Sequence, residues 1–305
     1  MPALKICCSW IHSEYLVFLC GLRELCGKTE TFGMRTKRRY SLWLSGLALT
    51  VLAVFVVFEP WVCPYDPLAI DFVPLSPPSL KNLFGADELG RDVFSRFVAG
   101  TRISFIVGTV SVFFAATIGI LVGLLAAYSK KLRALLMRMI DAIWAFPMIM
   151  LALALAASLE PGLGSVIIVI AVVYSPLFAR VVYGQALSIL ERDFVAAARA
   201  LGCGPVRLLF THVLPNLAAA ILVQATLSVG TAIVLESSLS FLGVGIQPPT
   251  PSWGVIMQSG YRWLEQAHWI SILPGIGIYV TVVSYSVLGD WLRIVLDPKQ
   301  VSTKV

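Results

Sequence analysis

The segment ISFIVGTVSVFFAATIGILVGLLAAYS, residues 103–129, contains no Asp, Glu, Lys or Arg. A helix crosses the hydrocarbon core of a bilayer with about 20 apolar residues, because lipid offers no hydrogen-bonding partner to bare backbone groups. This segment is long enough for one such crossing. It predicts a chain built from membrane-spanning α-helices.

The composition of the whole chain agrees with this prediction. Of its 305 residues, 58% are hydrophobic and 13% are charged, whereas soluble domains carry about 25% charged residues. The apolar excess must face something other than water. The net charge of +6 lies in short clusters between long neutral stretches, which favours basic loops of a membrane protein over a nucleic-acid-binding surface.

Charge-free windows of this length predict an all-α, polytopic membrane protein with six transmembrane helices. The windows are Tyr40–Phe58, Ile103–Ser129, Ala142–Leu159, Pro161–Ala179, Leu208–Leu235 and Gln266–Gly289. The neutral stretch Ser237–Tyr261 is predicted to be a loop instead of a seventh span, because Pro248, Pro249 and Pro251 would interrupt a helix.

The basic residues predict the orientation of the chain. With six spans, the clusters at residues 35–39, 130–138, 180–207 and 293–304 fall on one side, whereas the opposite loops are balanced or nearly bare of charge. Because cytoplasmic loops carry the excess of Lys and Arg, both termini are predicted to be cytoplasmic.

The same windows divide the chain into segments. The expected segments are a cytoplasmic extension at 1–39, a first transmembrane helix at 40–60, an extracytoplasmic segment at 61–102, a core of five spans at 103–291 and a cytoplasmic tail at 292–305. Two interpretations of the N-terminus remain open: translation starts at Met34, or residues 1–33 form a loosely ordered extension.

Two sequence features that could indicate bound cofactors do not support a site. Gly27-Lys28-Thr29 matches the end of a phosphate-binding loop, but Gly21 lies one residue too far back for the required spacing. The six cysteines include no CxxC spacing, so neither a metal site nor a disulfide framework is expected. The chain is therefore expected to bind no cofactor itself.

The loop between the fourth and fifth windows predicts a short amphipathic helix across the ends of the spans. Glu191–Leu201 has strong helix formers and acidic residues in its first turn, and Gly202 is a typical helix stop. Pro205 can begin a second short helix. Phe194 and Leu201 are expected to anchor the first helix.

The role of this predicted helix remains open on the residues alone. It could be a plain surface helix at the membrane interface, or the small face at Ala196–Ala198 could permit close approach of another protein.

Several polar residues outside this loop are candidates for a pathway or a gate. Asp87 is predicted to cap a short external helix with Arg91 as its ion-pair partner, either as a structural feature or as part of a gate. Glu236 is expected near the outer end of the fifth span, where solvation favours anchoring over transport. Gln224 either faces a pathway or joins helices, and Trp253 is suited to the membrane interface.

Four separated motifs carry a family resemblance. Ala197-Ala198-x-x-x-Gly202, followed by Leu214-Pro215, resembles the EAA loop of ABC importer permeases, E-A-A-x(3)-G-x(9)-I-x-L-P. Ala196 stands at the glutamate position and His212 at the isoleucine position, so no salt bridge from that glutamate is implied. The segments that resemble permeases of the oligopeptide/dipeptide/nickel class are Phe84–Arg96, Val195–Asn216, Ser240–Gly254 and Leu288–Pro298.

This resemblance implies the second, or C-type, permease subunit of an importer with type I architecture. In that family the loop forms a coupling helix seated in a groove on the ATPase subunit. The implied coupling residues are Phe194, Ala196, Ala197, Ala198, Arg199, Leu201, Gly202, Leu214 and Pro215. The candidate pathway or gate residues are Glu236, Gln224, Asp87 and Arg91.

The resemblance also implies the partners. These are a second, homologous permease subunit, two ATPase subunits that hold ATP and magnesium, an extracytoplasmic solute-binding protein and the lipid bilayer, with no nucleic acid. The chain would have no catalytic residue, and its substrate would be a peptide, nickel or another small solute. A stand-alone secondary carrier and an intramembrane enzyme are the alternatives; the first would need coupling-ion groups at mid-membrane.

Overall fold

A computed structural model describes residues 33–296, with side chains from Leu42 onward. The predicted N-terminal extension before Gly33, including Gly27-Lys28-Thr29, and the tail after Leu296 lie outside the described residues. The chain divides into two compact units between Trp43 and Leu44. Only the beginning of one helix is described in the first unit, and all contacts below lie within the second.

Every regular element in the described residues is a helix, apart from an isolated bridge between Ala86 and Asp92, which confirms the predicted all-α class. The helices are α1 (Gly33–Val57), α2 (Glu59–Val62), α3 (Val93–Tyr128), α4 (Lys130–Trp144), α5 (Met148–Ala157), α6 (Leu163–Leu190), α7 (Asp193–Ala200), α8 (Pro205–Arg207) with the π-helix Leu208–Val213, α9 (Leu214–Phe241), α10 (Trp253–Tyr261) and α11 (Trp269–Leu296).

Four of the described helical segments are long and apolar enough to cross a membrane: α3, α6, Pro205–Phe241 and α11. A fifth is added if the bent pair α4 and α5 counts as one span. The described apolar part of α1, Leu42–Val57, is shorter. The count of six spans, which includes this first window, stays a prediction.

The predicted third span is not one continuous helix. Helices α4 and α5 meet at an angle of 90°, and Pro147 between them has an extended backbone with ψ 129°. Proline has no N–H to donate and disfavours a helical conformation in the residue before it. The window Ala142–Leu159 therefore contains the end of α4 and the whole of α5.

Four other spans run past their predicted limits, among them α6, which continues beyond Ala179 to Leu190. Helix α3 begins at Val93 and not at Ile103, because Asp92 caps it: the Asp92 carboxylate accepts a hydrogen bond of 2.7 Å from the Ser95 amide. Helix α9 continues beyond Glu236, and α11 continues to Leu296. The short helix α10 lies in the stretch predicted to be a loop.

Close glycine contacts fix the direction of α6 relative to α3. A Cβ on Gly119 would collide with Phe178 of α6, and a Cβ on Gly123 would lie 2.9 Å from the Cβ of Val182. The residue numbers of the contacting pairs, 119 with 178 and 123 with 182, increase in the same direction along both helices. Helices α3 and α6 therefore run parallel, with backbones brought together by small residues.

Helix α9 runs in the opposite direction. A Cβ on Gly108 of α3 would lie 2.6 Å from Ile233, whereas Ser104, one turn earlier, contacts Glu236. Helix α11 is antiparallel to α9, since Gly230 faces Tyr285 and Gly289 faces Leu227.

These directions define two ends of the bundle. The Trp253 end contains residues 58–92 and 242–268, and the Phe194 end contains α7, α8, the π-helix and the C-termini of α3, α6 and α11. Arg192, Arg199, Arg207 and Arg293 all belong to the Phe194 end. The predicted grouping of these basic residues on one side is therefore observed, and the assignment of that side to the cytoplasm stays a prediction.

Candidate functional site

Helix α7 is an exposed helix at the Phe194 end that is anchored by a different residue from those predicted. Val195 is 0% exposed, whereas Phe194 is 40% and Leu201 is 89% exposed. Helical spacing places Phe194, Ala197 and Leu201 on one face, and this face points away from the bundle. The prediction that Phe194 and Leu201 anchor α7 is wrong; they form an outward stripe.

The end of α7 follows the prediction. Gly202 has φ +79°, a left-handed conformation that glycine adopts without the strain of a side chain. The Gly202 and Cys203 amides donate hydrogen bonds of 3.0 and 3.1 Å to the carbonyls of Arg199 and Ala198, which closes the helix. Pro205 then occupies the first turn of α8, also as predicted.

The next segment, Leu208–Val213, is a π-helix that the sequence did not predict. It continues directly into α9, where Pro215 lies in the first turn. Pro215 has no N–H to return to the preceding turn. The Asn216 side-chain amide donates a 2.7 Å hydrogen bond to the His212 carbonyl. Short π-helices are rare and are frequent at functional sites.

Val195 joins α7 to this π-helix. Its side chain belongs to a buried cluster that includes Leu208, Leu209 and Val213 of the π-helix and Ile189 at the end of α6. Val195 therefore packs α7 against both the end of α6 and the π-helix that leads into α9.

An open cleft of about 700 Å³ lies between α6, α9 and α11 at the Phe194 end. The predicted pathway residue Gln224 lines it and also donates a 3.2 Å hydrogen bond to Ser228 within α9. The other polar residues that line the cleft are Gln185, Ser188, Arg192, Asn216 and Arg293. The cleft thus combines neutral hydrogen-bonding groups with guanidinium groups.

At the Trp253 end, the predicted ion pair between Asp87 and Arg91 is present. The Arg91 Nε lies 2.7 Å from Asp87 Oδ2, and both side chains are buried. Asp87 does not cap a helix, however: its Oδ1 accepts hydrogen bonds from the amides of Leu89 (2.9 Å) and Arg91 (3.0 Å) and closes a turn. Gly90 in this turn has φ +84°, which prevents a regular helix here.

The sequence reading missed Arg96, a second partner of Asp87. Its Nε lies 3.4 Å from Asp87 Oδ2, and the residue is 1% exposed inside the first turn of α3. The signal that could have found it was Asp92 three residues before Ser95, which is an N-cap pattern and would have placed the start of α3 before Arg96.

Glu236 is buried and not solvated, contrary to the expectation. It is 0% exposed, and its carboxylate accepts hydrogen bonds from Ser104 (3.0 Å), Ser240 (2.9 Å) and Ser237 (3.2 Å). The reason is that α9 continues to Phe241 and its end is covered by the neighbouring elements. By contrast, Asp141 and Asp290 are exposed.

Trp253 contributes to this cover: its ring is enclosed by protein, so it does not make the contact with the membrane interface that its residue type suggested. It is fully buried and stacks on Phe97 with ring centroids 5.6 Å apart. Its backbone amide donates a 3.4 Å hydrogen bond to the Ser104 hydroxyl, so Trp253 and Glu236 share one serine.

Within residues 33–296, no three His, Cys, Asp or Glu side chains lie together as metal ligands would. A family model described as "Binding-protein-dependent transport system inner membrane component" matches residues 119–301. The chain belongs to this family. This match, together with the relatives described next, confirms the predicted identity as an ABC importer permease of the oligopeptide/dipeptide/nickel class.

Relatives of this permease have names that agree with this class. The di/tripeptide transport system permease protein DppC of Pseudomonas aeruginosa is 44% identical over 84% of this chain and 88% of its own length. The glutathione transport system permease protein GsiD of Escherichia coli is 40% identical over 88% of this chain and 89% of its own length.

A solved structure of the MetNI methionine ABC transporter, in an inward-facing conformation, shares the fold of this permease. The TM-score is 0.56 at 21% sequence identity, with 67% of this chain and 98% of that chain covered. The predicted type I importer permease architecture is therefore shown for this inner-membrane component.

Proposed function

We propose that this permease subunit forms half of the translocation pathway of an ATP-driven importer and couples to an ATPase subunit through α7. The observation that carries the proposal is the construction of α7. Its outward stripe of Phe194, Ala197 and Leu201 is exposed, while Val195 on another face is buried against the π-helix.

A helix with one exposed face and one buried face could transmit a force from a partner protein to the bundle. A partner that binds ATP and magnesium would press on the outward stripe, and the close-packed Val195 would pass the displacement to α6 and to the π-helix. The cleft lies between α6, α9 and α11, so relative motion of these helices would change access to Gln224.

Three of the candidate pathway or gate residues are assigned a supporting role in this scheme. Asp87, Arg91 and Glu236 are buried and bonded within the chain, which suits a fixed frame at the Trp253 end. Gln224 lines the cleft, which suits contact with the solute.

The proposed assembly contains a second, homologous permease subunit, two ATPase subunits and an extracytoplasmic solute-binding protein. With the Phe194 end in the cytoplasm, α7 faces the ATPase and the Trp253 end faces the binding protein. The proposed cargo is a peptide or a similar small solute, because the relatives are named for di/tripeptides and glutathione.

Coupling through α7 is tested by Ala197→Arg. Ala197 is exposed, so the variant should fold and assemble, whereas a large cation in the contact would prevent close approach of the ATPase. The expected result is loss of ATP-driven uptake and of solute-stimulated ATP hydrolysis in proteoliposomes containing the whole importer.

The matched control is Ala134→Arg, which adds the same side chain to an exposed position of α4 near the same end. It should leave uptake unchanged. Co-purification of the partner subunits separates failed coupling from failed assembly. Uptake by Ala197→Arg at the unmodified rate would exclude α7 as the coupling element.

A further inference from the structure

The charged side chains that line the cleft at the Phe194 end are all positive. Arg192 and Arg293 line it, and no acidic residue of the described chain does. Glu191 and Asp193 flank Arg192, and Asp290 lies three residues before Arg293; all five side chains are exposed, but the three acids do not belong to the lining. An anion in direct contact with this lining would therefore be favoured over a free cation.

The two arginines come from opposite walls. Arg192 follows α6 and precedes α7, and Arg293 lies in the last turn of α11. Within residues 42–296, neither side chain forms an ion pair. A planar guanidinium group binds a carboxylate through two parallel hydrogen bonds, which makes arginine suited to carboxylate recognition.

The remaining polar lining is neutral. Gln185, Ser188, Asn216 and Gln224 offer amide and hydroxyl groups that can donate or accept. Such groups match the amide bonds of a peptide without selecting its side chains. The volume of about 700 Å³ lies within the range of about 300–1,000 Å³ that is common for small-molecule sites.

We propose that Arg293, together with Arg192, binds the carboxylate of the transported solute in this cleft on its way out of the importer. The inference rests on the proposed function, because it assigns a solute to the pathway proposed above. It defines the substrate class as small solutes that carry a carboxylate, such as short peptides. A free divalent metal cation would meet positive charge here and no carboxylate ligand from the described chain.

The test measures binding without ATP hydrolysis. The whole membrane complex, with its partner subunits, is placed in lipid nanodiscs without nucleotide and without binding protein. Saturation-transfer NMR then gives the Kd of trialanine and of trialanine amide, in which the terminal carboxylate is replaced by a neutral amide. The unmodified complex should bind trialanine about tenfold more tightly than the amide, as expected for hydrogen bonds to a charged group.

Arg293→Gln should reduce this preference to about twofold or less, mainly by weakening trialanine binding, and Arg293→Lys should retain part of it. The control Arg138→Gln removes the same charge at an exposed position outside the cleft and should leave the preference intact.

Three outcomes would overturn the inference: no binding of trialanine, equal binding of acid and amide by the unmodified complex, or a preference unaffected by Arg293→Gln. The same complex, supplied with ATP and binding protein, is tested separately for uptake. Because the binding measurement uses no nucleotide, failure of this inference is distinguishable from failure of the proposed ATP-driven transport.

Discussion

Several acidic residues are buried at the Trp253 end of this permease, whereas the described acidic residues at the Phe194 end are exposed. At the Trp253 end, Asp87 and Glu236 are buried, and their carboxylates are bonded to arginines and serines of the same chain. At the Phe194 end, Asp193 and Glu191 are exposed, beside the outward stripe of α7. Buried polar groups need partners, whereas exposed apolar surface marks a contact with another molecule.

The buried acids of the Trp253 end are thus satisfied within the chain, whereas the acids of the Phe194 end lie at the surface, beside the stripe that we propose contacts a partner. Because aspartate, glutamate and cysteine occur at both ends, matched substitutions can test this comparison directly. A substitution at the Trp253 end should change the properties of the isolated chain, and its counterpart at the Phe194 end should not.

The largest effect is expected for Asp87→Ala. The change would leave Arg96 buried without its carboxylate partner and would weaken the pairing of Arg91. Removal of one partner from a buried ion pair costs about 3–5 kcal/mol. SDS-induced unfolding of the purified chain, followed by circular dichroism, would measure the loss.

The counterpart is Asp193→Ala at the Phe194 end. Asp193 lies in the first turn of α7 and is exposed, so the expected cost is at most about 1 kcal/mol from its interaction with the helix dipole. Equal losses from the two substitutions would contradict the comparison.

A smaller effect is expected for Glu236→Ala. Three serine hydroxyls donate to this carboxylate, and they would lose their acceptor in a fully buried site. A buried group left without a hydrogen-bond partner costs about 1–3 kcal/mol of stability. Rotation of the serine hydroxyls toward backbone carbonyls would reduce this cost. We therefore expect a loss of about 2 kcal/mol in the same unfolding measurement.

Two variants qualify this result. Glu236→Gln keeps one acceptor oxygen and should lose less, while Glu191→Ala at the Phe194 end should be near neutral because Glu191 is exposed. A larger loss from Glu191→Ala than from Glu236→Ala would show that the buried serine cluster does not stabilise the fold.

Features that depend on local chemistry were predictable from the sequence. The charge-free windows located apolar helices, because lipid imposes one requirement on all of them. Gly202 and Pro205 were assigned correctly as a helix stop and a helix start, since each acts through its own backbone. The Asp87–Arg91 pair also followed from a local spacing of four residues.

Features that depend on packing were not predictable. The windows ended at the first charged residue, but Glu236 lies inside α9 because serines from α3 and α9 satisfy it. Val195 replaced Phe194 and Leu201 as the anchor of α7, because the direction of a short helix is set by what it contacts. The break at Pro147 and the π-helix Leu208–Val213 likewise depend on how neighbouring segments fit.

The smallest expected effect concerns the thiol of Cys63 at the Trp253 end. Burial, followed by the negative charges of Glu59 and Asp92, raises the pKa of Cys63 to about 11. Because only the thiolate reacts with iodoacetamide, about one thiol in a thousand is reactive at pH 8. In a variant with Cys63 as its only cysteine, the alkylation rate should rise about tenfold per pH unit up to pH 10. The same variant unfolded in SDS should react faster at pH 8, and Glu59→Gln should speed the reaction of the folded chain by lowering the pKa.

A variant that retains only Cys203, in the loop after α7, provides the rate at the Phe194 end. A plateau of the Cys63 rate below pH 9 would show that its thiol is solvated like a surface group, and the contrast between the buried acids of the Trp253 end and the exposed acids of the Phe194 end would then not extend to this residue.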